Sequence, residues 1–234
     1  MNPITRIVRN ISRRARSRRA EIFRGAFSID ARTRILDLGS ENGSNINFVL
    51  NGTAFDPQNV YIADIDEAAV KDGATSYGFV PVPISESQRL PFADKFFDIV
   101  YCSSVIEHVT VPKDEVWSLY SGRKFRSDSR KRQREFAEEI KRLSKQYFVQ
   151  CPYRHFPIES HSWLPFLAWM PRRIQIPLLK VTNAFWIKQT SPDWHLLNKR
   201  ELMGLFDEAE LFEEKMFGIT KSIMAVHNYP VSRT

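Results

Sequence analysis

The stretch Arg34-Ile35-Leu36-Asp37-Leu38-Gly39-Ser40-Glu41-Asn42-Gly43-Ser44-Asn45 decides the fold class. Ile35, Leu36 and Leu38 around Asp37 form a short apolar strand, Gly39 stops it, and Asn45 to Leu50 resumes as a short helix. Gly39 and Gly43 permit a tight turn at the strand's carboxyl end, where backbone amides approach a ligand without interference from a Cβ. Further on, Asp64 closes a second strand, Val60 to Ala63. A carboxylate there accepts both hydroxyls of a ribose; a helix cap, at Asp64 or the nearby Asp66, is the structural alternative. Neither G-x-G-x-x-G nor G-x-x-x-x-G-K-[ST] occurs, so the loop favours a nucleoside with a short nonphosphate tail over a dinucleotide or a triphosphate.

The same alternation continues outward. Asp66 to Asp72 reads as helix, Gly78 to Ile84 as a strand weakened by Pro81 and Pro83, and Phe97 to Tyr101 as a buried strand. Residues 111–130 form an excursion before a helix from about Lys131 to Leu143 and a strand from Gln146 to Gln150. Residues 151–195 hold four of the five Trp and read as a substrate-side lid or insertion. Asn198 and Glu201 make a capping box for a helix over Lys199 to Phe206. Leu211 to Phe217 and Lys221 to His227, with Gly218 between, read as a closing hairpin. Strands alternating with helices predict an α/β fold with a mostly parallel sheet.

Composition agrees. With 234 residues, 43% hydrophobic, 26% charged, nine Gly and 13 Pro, the chain is neither collagenous nor generally disordered. Two cysteines, Cys102 and Cys151, make no disulfide framework and fit a reducing, cytoplasmic compartment. No secretory signal or uninterrupted 18-residue apolar run is apparent. The net charge of +7 is concentrated: residues 1–24 carry eight arginines against Glu21, and Arg123 to Arg134 supplies seven cations against Asp128. The reading is a basic arm over residues 1–29, suited to peripheral, salt-sensitive contact with an anionic membrane or to phosphate.

Four motifs in order then resemble the class I S-adenosylmethionine-dependent methyltransferases, especially the small-molecule group. Asp37-Leu-Gly39-Ser-Glu-Asn-Gly43 is similar to their D-x-G-x-G-x-G loop, with Glu41 at the usual middle glycine. Val60-Tyr-Ile-Ala-Asp64-Ile-Asp66 resembles the second-strand segment, Ser85-Glu86-Ser87-Gln-Arg-Leu90-Pro91-Phe92 the adenine-side segment, and Phe97-Asp98 through Glu107-His108-Val109 the fourth-strand segment. The resemblance implies a Rossmann-like seven-stranded, mostly parallel sheet of order 3-2-1-4-5-7-6, with strand 7 antiparallel, as a methyltransferase domain over residues 30–234 that includes the insertion 151–197. It implies S-adenosylmethionine as cofactor, with Asp37, Gly39, Ser40, Gly43, Asp64, Ile65, Glu86, Ser87 and Ser103 as its binding residues.

Catalytic candidates cluster after the fifth strand, where sheet enzymes recruit functional loops. His155, Glu159 and His161 place three titratable groups within seven residues. His155 is the expected base for a hydroxyl acceptor, oriented by Glu159 or His161, and His108 is a second candidate. Their spacing matches no established zinc motif, so no metal is expected. Cys102 reads as packing. An N/D-P-P-Y run, the familiar signal for methylation of nucleic-acid amines, is absent. Trp163, Phe166, Trp169 and Met170, followed by Arg172-Arg173 and an apolar run, read as an oily patch with a cationic rim. The Glu159 to Pro171 stretch also resembles methyltransferases of bacterial glycan and lipid-associated gene groups. The expected reaction is methyl transfer to a small hydroxylated, glycan or lipid-linked acceptor. The alternatives are a noncatalytic binding protein on the same fold and a nucleic-acid methyltransferase. The sequence leaves the oligomeric state open.

Overall fold

The computed structural model describes residues 3–85 and 89–228, with side chains of the first helix from Ala15 onward. Seven strands form one sheet in the order β3-β2-β1-β4-β5-β7-β6, the order implied by the family resemblance. They are β1 (Ile35–Leu38), β2 (Val60–Asp64), β3 (Val80–Pro83), β4 (Phe97–Ser103), β5 (Ser144–Pro152), β6 (Glu210–Met216) and β7 (Ile219–His227). β1 lies parallel to both β2 and β4, with Ile35 opposite Val60 and Ile99, and all four of its residues are buried. A strand covered on both faces needs an unbroken apolar run, which is why β1 and β4 read so clearly. β3 pairs parallel with β2 at the sheet's edge. Pro81 and Pro83 are tolerated there because an edge strand has one side without ladder partners.

Two compact units make up the chain. The first comprises Met1–Ser103, Ile140–Val149 and Val226–Thr234. It contains the helices α1 (Pro3–Ala26), α2 (Ser44–Leu50) and α3 (Glu67–Tyr77). The basic arm is helical, and its last turns are core: Ala20 and Phe23 are fully buried. Phe23 meets Tyr101 edge-on at 5.3 Å and Phe148 at 5.6 Å. Arg24 donates to the Val49 carbonyl at 2.9 Å, tying α1 to α2.

The second unit comprises Ser104–Glu139 and Gln150–Ala225. Its helices are most of α4 (Gly122–Leu143), then α5 (Arg172–Thr182) and α6 (Lys199–Leu205). α4 begins nine residues before the expected Lys131. Ser121 starts it by accepting the Lys124 N–H. Its buried stripe runs Phe125, Ser129, Gln133, Ala137, Ile140. Two polar members of that stripe hide the helical period from a hydrophobicity reading. The Asn198–Glu201 capping box of α6 is present. β6 and β7 are joined by Phe217-Gly218, both left-handed (φ 50° and 80°). That two-residue turn makes the pair antiparallel.

The cationic-rim reading of Arg172 is corrected. Arg172 is buried and donates to the carbonyls of Val116 (2.6 Å), Leu119 (2.9 Å) and Pro192 (2.7 Å). Its guanidinium lies 3.7 Å from the Phe125 ring centroid, and burial lowers its pKa to about 10. Arg173, exposed, fits the expectation. Leu167, Leu179, Trp194 and Leu196 pack into one cluster of this unit.

Candidate functional site

The glycine loop after β1 is built by hydrogen bonds to β2. The N–H groups of Gly39 and Ser40 both donate to the Ala63 carbonyl, at 2.8 and 3.2 Å. Gly39 (φ 77°) and Gly43 (φ 72°) are left-handed, and so is Glu41 (φ 50°), the residue at the family's glycine position. A Cβ on Gly43 would stand 3.0 Å from Ile62 Cγ2 and 3.1 Å from the Phe79 ring, so this glycine serves packing as well as turning. Gly73 on α3 has a related role that the sequence reading missed: a Cβ there would come 2.3 Å from the Asn42 carbonyl oxygen.

Asp64, at the end of β2, accepts the Glu41 N–H at Oδ2 (2.8 Å) and the Asp66 N–H at Oδ1 (3.0 Å). Each oxygen keeps a second lone pair for a ligand hydroxyl. Asp66 is the helix cap, accepting the Ala69 N–H at 3.0 Å. Ile65 beside Asp64 exposes an apolar side chain, and Ser40 is buried. Asp37 is buried, and its Oδ2 has no hydrogen-bond partner among the described residues. Burial first, then the charges of Asp64 and Glu41, push the Asp37 carboxyl well above its usual range. Ser103 accepts from Arg19 at 3.3 Å. Glu86 and Ser87 lie outside the described residues.

A second group of titratable side chains belongs wholly to the second unit. Ser104 (φ 61°) turns the chain out of β4, and its N–H donates to the Gln150 carbonyl at 2.9 Å. The short turn that follows, Ile106–His108, is pinned by Gln133 at the Ile106 carbonyl (2.9 Å) and by the His195 N–H at the Glu107 carbonyl (2.7 Å). His108 Nε2 then stands 3.0 Å from His161 Nε2. His161 Nδ1 is 2.6 Å from Glu159 Oε1, and Glu159 Oε2 accepts from the Ser162 N–H and hydroxyl. Asp193 Oδ2 lies 3.5 Å from His108 Nδ1. Burial works to depress the His161 pKa, but Glu107 and Glu159 prevail and raise it to about 9. Glu107 is fully buried, and neither carboxylate oxygen has a hydrogen-bond partner among the described residues.

The structure thus brings together His108, Glu159 and His161, and does not bring His155 to them. His155 is exposed, its ring 5.3 Å edge-on from Tyr153, while the Glu159 carboxylate is engaged by His161 and Ser162. Glu107 and Asp193 join the group without having been singled out. Glu107 stood in the quoted Glu-His pair, whereas nothing local marks Asp193.

Comparison with known proteins agrees with this architecture. Residues 36–147 match the family model described as a methyltransferase domain. With the sheet order in hand, that match decides the family. Residues 36–147 are a methyltransferase domain of the class I, S-adenosylmethionine-dependent kind. No curated protein sequence matches this methyltransferase. Solved structures share its fold at low identity. A Bordetella parapertussis protein described as a possible exported protein is 9% identical with TM-score 0.56, covering 93% of this chain and 68% of its own. A Haloferax volcanii chain, from the complex of the Trm112 methyltransferase activator with a methyltransferase, is 13% identical with TM-score 0.55, covering 93% and 89%. A Pyrococcus horikoshii OT3 protein is 18% identical with TM-score 0.50, covering 84% and 82%.

S-adenosylmethionine is the cofactor of this methyltransferase, and the loop residues suit it. The unpartnered buried Asp37 oxygen calls for a donor or a cation, Asp64 has lone pairs free for ribose hydroxyls, and Ile65 offers an apolar surface to a base. No phosphate-binding loop competes with that assignment.

Proposed function

We propose that the enzyme methylates a hydroxyl of a small, glycan or lipid-linked acceptor, presented to the Glu107, His108 and His161 group. The observation that carries this reading is the convergence of two imidazoles and a buried, unpartnered carboxylate, 3.0 Å apart at the imidazole nitrogens. A hydroxyl is a poor nucleophile until its proton is drawn away, and such a group is built to draw it. The loops bearing His108 and His161 follow the carboxyl ends of β4 and β5. Open α/β sheets recruit their functional loops from the carboxyl ends of the strands.

The cofactor supplies an electrophilic methyl group on a sulfonium. The chain's own residues do the rest. Asp64 orients the ribose, Asp37 offers negative charge from the loop, and Glu159 holds His161 in one orientation. Positioning of this kind carries much of the rate of a displacement. An oily or lipid-linked acceptor is favoured by the exposure of Phe166, Trp169, Ile174, Val181, Phe185 and Ile187, an aromatic and aliphatic set gathered in one segment. No helix of the described residues is long and apolar enough to cross a membrane, so contact with a bilayer is peripheral, aided by the basic first helix.

Cell extracts incubated with enzyme and methyl-labelled cofactor, read by untargeted mass spectrometry, test the reading. The expected product is a methyl ether on a hydroxylated small molecule, glycan or lipid-linked glycan. His161→Ala and His108→Ala lose transfer while keeping cofactor affinity, and His155→Ala keeps both. Methylated nucleotides or proteins as the sole product would overturn it.

A further inference from the structure

We infer that Glu107, His108 and His161 bind one divalent transition-metal ion, and that this ion receives the acceptor's oxygen; only the second clause rests on the function proposed above. The ligand atoms of the three residues all lie within 4.8 Å of one another. His108 Nε2 and His161 Nε2 face each other at 3.0 Å, and Glu107 Oε1 is 3.8 Å from His161 Nε2.

The nitrogens on the far side of the two rings are already committed. His161 Nδ1 meets Glu159 at 2.6 Å, and His108 Nδ1 faces Asp193 at 3.5 Å. Carboxylates accept, so these contacts keep hydrogen on each Nδ1 and leave the two Nε2 atoms for the space between the rings. The Nε2 atoms converge beside the buried Glu107 carboxylate at a place that holds positive charge, the Nε2 proton of His161 in the free protein and the metal ion in its stead when one binds. A ligating imidazole whose other nitrogen is held by a carboxylate is the usual outer arrangement of a protein metal site. The outer carboxylate of His161 is itself fixed by three hydrogen bonds, from the His161 N–H (2.7 Å), the Ser162 N–H (2.6 Å) and the Ser162 hydroxyl (2.7 Å).

Glu107 supplies the independent evidence. It is fully buried, both oxygens lack hydrogen-bond partners among the described residues, and its main chain is pinned through its carbonyl by His195. A carboxylate withdrawn from water and denied donors is costly to keep unless a cation compensates it.

Ligand type and geometry narrow the ion. Two imidazoles disfavour Mg²⁺ and Ca²⁺. With a metal–nitrogen distance of about 2.1 Å, two nitrogens 3.0 Å apart subtend roughly a right angle at the ion. That is the spacing of neighbouring octahedral positions, as Mn²⁺, Fe²⁺, Co²⁺ or Ni²⁺ take, while the 3.8 Å between Glu107 Oε1 and His161 Nε2 subtends a wider angle, so the set suits a first-row transition metal without singling one out. Three protein ligands leave positions open, and an acceptor hydroxyl bound at one becomes more acidic. The metal-free expectation drawn from residues 155–161 weighed the spacing within that segment alone, whereas the ligands proposed here come from two loops, 53 residues apart at the histidines.

The test uses the full chain, stripped with chelator and desalted, titrated with MnCl₂ by electron paramagnetic resonance, with MgCl₂ in parallel. The expected result is one Mn²⁺ per chain, abolished in His108→Ala and His161→Ala and weakened about tenfold or more in Asp193→Asn. His155→Ala binds as the parent does. Circular dichroism and cofactor calorimetry establish that each variant is folded. No saturable Mn²⁺ binding at millimolar concentration, or binding indifferent to His161→Ala, overturns the inference. Failure of the two readings is distinguishable: methyl ethers formed equally well in chelator sink the metal but leave the function, whereas Mn²⁺ binding without any methylated hydroxyl does the reverse.

Discussion

The backbone N–H of Glu41 donates to Asp64 Oδ2 at 2.8 Å. The residue standing at the family's middle glycine is therefore bound to the carboxylate assigned to the ribose, and loop and acid form one unit. Glu41 holds the left-handed conformation at φ 50°, which costs a non-glycine residue about 1–2 kcal/mol. The N–H survives replacement of the side chain. Glu41→Gly is expected to leave cofactor affinity within a few-fold of the parent, whereas Asp64→Ala loses at least about tenfold, or roughly 1.4 kcal/mol. Calorimetric titration with S-adenosylmethionine checks both, and equal losses in the two variants would show that the loop does not depend on the carboxylate.

Asp37 predicts a pH dependence of the same affinity. Its carboxyl titrates well above the usual range because it is buried and because Asp64 and Glu41 add negative charge nearby. Below that raised pKa it is neutral and offers nothing to a sulfonium cation. Affinity for S-adenosylmethionine should therefore rise as pH climbs through that raised pKa, while affinity for S-adenosylhomocysteine, which lacks the sulfonium charge, stays flatter. In the free protein the sign is opposite: a raised folded pKa stabilises fully below the unfolded value and loses that stability as pH rises through the folded one. Asp37→Asn should then melt no lower than the parent at pH 8 yet bind S-adenosylmethionine more weakly. Parallel pH profiles for the two ligands would remove Asp37 from the site.

How far the sequence discloses these features depends on where their partners lie. β1 and β4 are legible because a strand buried on both faces must be apolar throughout, and the glycine loop because its turn chemistry is local. The start of α4 is hidden since Ser129 and Gln133 occupy buried positions, and Gln133 is there to bond the Ile106 and His195 carbonyls. His161 is visible as a titratable group, but its partner His108 is 53 residues away. The choice between His155 and His161 is one of placement, which seven residues of loop do not encode. Arg172 and Arg173 are adjacent and alike as letters; only the fold buries the first.

That difference between the two arginines is measurable. Arg172 satisfies three carbonyls, at Val116, Leu119 and Pro192. Neither Lys, which lacks the planar fork, nor Met, which lacks donors, can replace it. Each buried acceptor left without a donor costs about 1–3 kcal/mol. Arg172→Met should lower stability by about 3 kcal/mol or more in urea denaturation, with Arg172→Lys only slightly better. Arg173→Ala, on the surface, should stay within about 0.5 kcal/mol of the parent. If Arg172→Lys proves as stable as the parent, the three carbonyls are satisfied in some other way.

His195 should make the protein acid-sensitive. Its Nδ1 is 2.9 Å from Gln133 Oε1 and its Nε2 is 3.0 Å from Arg154 Nη2. Burial is the main cause of its lowered pKa of about 4; the Arg154 charge adds to it, Glu201 opposes, and Arg130 and Arg126 contribute further lowering. An unfolded histidine titrates near 6.5, so between those values the unfolded chain binds the proton and the folded one does not. The stabilising contribution of neutral His195 is complete above pH 6.5 and is lost as pH falls toward 4, amounting to about 3 kcal/mol across the window. Gln at this position can accept from Arg154 without titrating. Urea midpoints at pH 7.5, 6, 5 and 4.5 should therefore fall more steeply for the parent than for His195→Gln, with the gap opening below pH 6.5. Parallel curves over that window would place the acid sensitivity elsewhere, whatever the absolute stability of the variant.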